Sequence, residues 1–140
     1  MKKVLLALAL CLVIAGLIAT PAFAATQKVP LTVTTGASYA TFITNQGDNE
    51  LVINVTLKGA LPNAKYGVYL IFDNPISLGN LTLGSLTTNS KGNWGGQNQQ
   101  YEFQTVMRKG NYTVNLSLIN GPIDSPVDVI TSPLVTVKIK

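Results

Sequence analysis

The stretch Leu51-Val52-Ile53-Asn54-Val55-Thr56-Leu57 decides the fold. Leu51, Ile53, Val55 and Leu57 fall on one face, while Val52, Asn54, Thr56 and then Lys58 fall on the other. Side chains alternate across a strand, so a period of two over seven residues marks a strand with one face in a core. Tyr112-Thr113-Val114-Asn115-Leu116-Ser117-Leu118 repeats the pattern, with Tyr112, Val114, Leu116 and Leu118 on the inner face. Near the C-terminus, Val135, Val137 and Ile139 oppose Leu134, Thr136 and Lys138. No window carries the 3.6-residue period of an amphipathic helix.

Outward from these anchors, further strands are expected over residues 29–35, 39–44, 66–72, 82–87 and 100–106. The run Tyr66-Gly67-Val68-Tyr69-Leu70-Ile71-Phe72 is apolar on both faces, as a central strand would be. Residues 123–133 hold two prolines and two aspartates and read as a crossing loop, with 127–130 as a short edge strand. Gly, Asn, Asp and Pro cluster between the runs, at Gly36, Gly47-Asp48-Asn49, Pro62-Asn63, Asn74-Pro75, Gly110-Asn111 and Gly121-Pro122. About seven to eight short strands with turns at this spacing predict an all-β, antiparallel sandwich. A closed barrel is the alternative. The expected core is Ile53, Val55, Leu57, Val68, Leu70, Tyr112, Val114, Leu116 and Val137.

The first 24 residues read differently. Lys2 and Lys3 precede an apolar run broken only by Gly16, and Ala22-Phe23-Ala24 follows Pro21 with small residues where a signal peptidase cuts. The expected division is a signal peptide over 1–24 and one β-sandwich domain over 25–140. The rival reading is a retained membrane anchor. Cys11 would leave with the leader, so the remaining 116 residues hold neither cysteine nor histidine. Eight cations against six anions leave that part at +2, without the clustered Lys and Arg that nucleic acid requires.

That composition removes most catalytic chemistry. Acid–base and nucleophile machinery usually needs a histidine, and catalytic zinc usually takes His or Cys. The carboxylates Asp48, Glu50, Asp73, Glu102, Asp124 and Asp128 are scattered along the chain. No enzyme activity, cofactor or metal is therefore expected. Asn45, Asp48, Asn49 and Glu50 offer oxygens on one turn, but their spacing is not that of an EF-hand. The plainer reading is a hairpin turn rich in residues that tolerate positive φ.

Four Asn-x-Ser/Thr acceptors occur, at Asn54, Asn80, Asn111 and Asn115. All four fall on the solvent side of the alternation, as glycosylated residues must and as ordinary polar strand residues also do. Trp94, the only tryptophan, lies in Lys91-Gly92-Asn93-Trp94-Gly95-Gly96. There it either contacts a ligand, such as a sugar ring, or folds back over the open end of the core.

Three further stretches carry a resemblance: Gly59 to Leu70, then Leu83-Gly84-Ser85-Leu86-Thr87-Thr88-Asn89-Ser90-Lys91-Gly92, then Gly110-Asn111-Tyr112-Thr113-Val114. In this order they resemble the Ig-like or prealbumin-like β-modules of secreted bacterial and archaeal surface proteins. The resemblance covers about half the chain and implies an Ig-like sandwich in an extracellular setting, with no activity attached. The histidines that bind metal in some such modules are absent. The function expected is a secreted or cell-surface structural or adhesive protein that self-assembles through edge strands. The alternative is a small extracellular carbohydrate-binding module. Expected partners are the chain itself, other surface proteins or glycans; the membrane enters only through the leader during export. Residues 26–35, with Val29, Leu31 and Val33 alternating, are either a free strand for a neighbour's edge or the domain's own first strand.

Overall fold

A computed structural model describes residues 25–33, 36–44, 49–73, 80–95 and 102–140. The expected leader, Cys11, residues 45–48 of the expected turn and residues 100–101 of the expected strand lie outside the described residues. Nine strands are seen: β1 (Ala25–Pro30), β2 (Tyr39–Thr44), β3 (Glu50–Thr56), β4 (Lys65–Phe72), β5 (Asn80–Thr87), β6 (Glu102–Val106), β7 (Gly110–Asn120), β8 (Asp128–Thr131) and β9 (Val135–Ile139). They form two antiparallel sheets, the first in the order β1-β2-β3-β6 and the second in the order β5-β4-β7-β8, with β9 also on β7. The described residues are all-β, forming two antiparallel sheets consistent with a sandwich.

The count exceeds the expected seven to eight because the short 127–130 segment is a true strand, β8. The first strand also runs earlier than residues 29–35. It starts at Ala25 and ends at Pro30, paired with β2 from Ala25↔Thr44 to Pro30↔Tyr39. Four of its six residues are Ala, Thr, Gln and Lys and lie exposed, so no alternation advertised them. Thus Ala25–Pro30 forms the domain's own edge strand, the in-domain alternative, over a shorter range than 26–35, of which 34–35 lie outside the described residues. Leu31 still reaches the core and Val29 and Val33 pack against it.

The alternation of β3 is reproduced: Leu51, Ile53 and Leu57 are fully buried and Val55 nearly so. Val52 faces outward yet is buried, because β3 is a central strand with Ile43 and Gln104 as its cross-strand neighbours. β4 is central as expected, between β5 and β7. Its inner residues Tyr66, Val68 and Leu70 meet Val114, Leu116 and Leu118 of β7 in one core. Tyr112 is only half-buried and packs at the rim, edge-on to Phe72 with ring centroids 5.9 Å apart.

β7 is long enough to carry two partners along one edge. Ser117 to Asn120 pair with β8, and Gly110 to Val114 pair with β9. Ser132 fills the gap between them. Its N–H donates to the Leu116 carbonyl at 2.9 Å, and its Oγ accepts the Leu116 N–H at 2.9 Å. Both backbone groups of Leu116 at this break thereby keep a partner.

Candidate functional site: seams, edges and outer face

Two seams join the sheets. At the first, β1 meets β8 and β9. The Gln27 side-chain amide donates to the Thr136 carbonyl at 2.8 Å. Thr32 donates its N–H to the Thr131 carbonyl at 3.0 Å, and its Oγ1 accepts the Thr131 N–H at 3.1 Å. At the second seam, β5 meets β6 without a ladder between them. The Phe103 ring lies under Gly84, where a Cβ would come within 3.2 Å of it. One end of this seam opens into an apolar cleft of about 580 Å³ between Phe72, Leu81, Val106, Met107 and Tyr112, with Arg108 at its rim. Val106 there is 76% exposed.

Each sheet end presents an edge. Edge strands are usually blunted by Lys, Pro, bulges or shortness, which block addition of another strand. β1 carries Lys28, whose Nζ lies 3.8 Å from the Tyr39 ring centroid, and ends at Pro30. The β8–β9 edge is broken at Ser132-Pro133-Leu134. β6 has five residues, one of them Glu102. β5 has eight, Asn80-Leu81-Thr82-Leu83-Gly84-Ser85-Leu86-Thr87, with no charge and no proline. Its single device is a register shift opposite Val68 and Tyr69 that leaves Leu83 unpaired.

A second feature lies on the outer face of the second sheet. Lys65, Gly67, Tyr69, Gly84, Ser85, Ile119, Asn120 and Gly121 surround a shallow groove of about 450 Å³. The ring edge and hydroxyl of Tyr69 occupy the space above Gly67, within 2.7 Å of where a Cβ would stand. Asn120 Nδ2 donates to the Lys65 carbonyl at 2.8 Å and fixes the groove's end. The residue-by-residue reading missed this groove. Its signal was Gly67, a glycine inside an otherwise apolar strand run, which often marks a close approach by another group.

The four acceptor asparagines do not converge. Asn80 and Asn111 are exposed on β5 and β7; Asn54 and Asn115 are half-buried on the outer faces of β3 and β7. Trp94 is 9% exposed and belongs to the core cluster. Its backbone pairs both ways with Leu57, at 2.9 and 3.0 Å, which extends β3's ladder beyond β6. This placement leaves little indole surface for a ligand. Asn49 has a φ of 54°, as the turn reading requires, and Glu50 opens β3. Among the described residues no group of three His, Cys, Asp or Glu side chains comes together.

One buried polar cluster closes the end of the core near the β3–β4 turn. Tyr66 Oη donates to Asp128 Oδ2 at 2.6 Å and accepts the Leu61 N–H at 3.3 Å. Burial of the phenol, reinforced by its hydrogen bond to Asp128, pushes its pKa up to about 12. Thr88 completes the cluster, accepting the Ala64 N–H at 3.0 Å and donating to the Leu61 carbonyl at 2.5 Å. These contacts hold a turn in shape, and Asp128 also lines a small pocket of about 170 Å³ with Thr32, Gly59 and Leu61. Comparison with family models, with curated proteins and with solved structures gives no match for this chain.

Proposed function

We propose that this chain is a non-enzymatic structural or adhesive protein of the cell surface or extracellular space, exported by its leader, folded as an Ig-like module and self-associating through a sheet edge. The β5 edge carries the proposal. Of the four sheet ends, it alone combines full strand length with the absence of Lys, Pro and any charge. A second β-strand can add to such an edge with main-chain hydrogen bonds, while alternating side chains supply selectivity.

The Ig-like assignment draws on strand order and on one corner. β3 lies beside β6 in one sheet and β4 beside β7 in the other, the pairings of strands B with E and C with F in that architecture. Tyr112 stands near the start of β7, just past the β6–β7 corner, and its hydroxyl donates to the Arg108 carbonyl four residues upstream at 2.8 Å. This contact resembles the tyrosine corner of Ig-like domains and supports the proposed assignment. Fully buried Val114, two residues on, takes the position that a disulfide cysteine holds in antibody domains. The export reading draws on the leader's charged, apolar and Ala-Phe-Ala segments.

The test is sedimentation equilibrium of the full chain and of the pair Asn80→Lys with Thr82→Lys, both on the outward face of β5. The wild type is expected to associate as concentration rises and the variant to remain monomeric with an unchanged melting temperature. A wild type that stays monomeric at millimolar concentration contradicts the proposal.

A further inference from the structure

We infer that the groove over Gly67 is a saccharide site, selective for a pyranose unit that carries a carboxylate. The inference does not rest on association through β5. It starts from the floor. Gly67 lies on the outer face of β4, between Ser85 of β5 and Ile119 of β7, and leaves bare backbone there. Bare backbone in a sheet interior weakens packing unless something approaches it closely. The space directly over Gly67 is taken from within the chain, by the hydroxyl edge of the Tyr69 ring. The space beside it is open to solvent as the groove of about 450 Å³, within the roughly 300–1,000 Å³ of small-ligand clefts.

The lining has the chemistry of a sugar. Its apolar surface comes from the Tyr69 ring and from Ile119. Pyranose rings present C–H faces that pack on aromatic and aliphatic surface, and Tyr supplies such surface together with a polar handle. Around it stand a phenol and a hydroxyl, Tyr69 and Ser85, and the amide of Asn120, all suited to exchanging hydrogen bonds with sugar hydroxyls. Among the described residues no carboxylate lines the groove. The single charge is Lys65, at the end that Asn120 fixes. One ammonium against neutral polar groups favours an acidic sugar over a neutral one.

The groove is also built to be tested without harming the fold. A Cβ at position 67 meets only the far end of the Tyr69 side chain, so Gly67→Ala displaces the ring and leaves the core intact. Binding of a galacturonate hexamer, an N-acetylglucosamine hexamer and a sialylated N-glycan to the purified full chain is measured by titration calorimetry. Saturable binding of galacturonate points to an acidic polysaccharide, and binding of the sialylated glycan alone points to glycoprotein glycans; either supports the site. Gly67→Ala, Tyr69→Ala and Lys65→Gln should each weaken that binding by about tenfold or more, with unchanged Trp94 fluorescence as the control for folding. Sedimentation of the wild type reads edge association independently of this titration, so failure here and failure of edge association are separate results. No binding by either acidic probe, binding of the neutral hexamer alone, or binding indifferent to all three groove variants overturns the inference.

Discussion

The two seams of this sandwich are built on opposite plans. Where β1 meets β8 and β9, side chains stitch one sheet to the other through Gln27, Thr32 and Thr131. The edge of β7 behind them is itself completed by Ser132. Where β5 meets β6, the contact is one aromatic ring under a glycine, and an apolar cleft opens at its end. Both seams border the same core, so burial alone does not explain the difference. Polar closure at the first seam satisfies edge groups, whereas among the described residues the second has no such closure, as the proposed association through β5 requires.

Core burial sets the scale against which the seams are measured. Leu116→Ala, at a fully buried core position, should destabilise by about 2–5 kcal/mol in denaturant unfolding, the usual cost of a large-to-small core change. Next, Ser132→Ala strips the Leu116 N–H of its partner and should cost about 1–3 kcal/mol. Val106→Ala at the open seam should stay within about 0.5 kcal/mol. A larger loss at Val106 than at Ser132 would break the comparison. Tyr66→Phe sharpens it through pH. The folded chain holds the phenolic proton up to about pH 12, while the unfolded chain releases it near pH 10. Between those values the folded state binds more protons, so stability is complete below about pH 10 and falls as pH rises toward 12. The melting temperature of the wild type should therefore drop faster over that window than that of Tyr66→Phe; parallel curves would remove the shift. Asn115→Ala, on the outer face of β7, should change stability least, within about 0.5 kcal/mol.

Where one face of a strand meets the core and the other meets water, the sequence was enough. β2 was expected over 39–44 and spans Tyr39–Thr44, and every expected core residue lies in the core except Tyr112, which packs at its rim. Alternation failed where no face is buried. β1 is exposed along most of its length, and its bounds are set by pairing with β2 rather than by its own pattern. Sheet order was also out of reach, because β3–β6 and β4–β7 join residues far apart in the chain. The candidate site was the least legible part. Trp94 drew notice as a lone aromatic on a glycine-rich turn, yet its backbone ladder with Leu57 turns the ring into the core. Tyr69 attracted none, because in a run apolar on both faces an outward tyrosine looks like one more packing residue.

The central claim is that β5 is the edge left open for a partner, and amide hydrogen exchange read residue by residue across a concentration series tests it most directly. Pairing at that edge must protect outward N–H groups that water otherwise reaches. The account predicts that protection of the amides from Leu81 to Leu86 rises with protein concentration while that of β1 does not change. Protection in β5 that is independent of concentration, or a rise confined to β1, would contradict it.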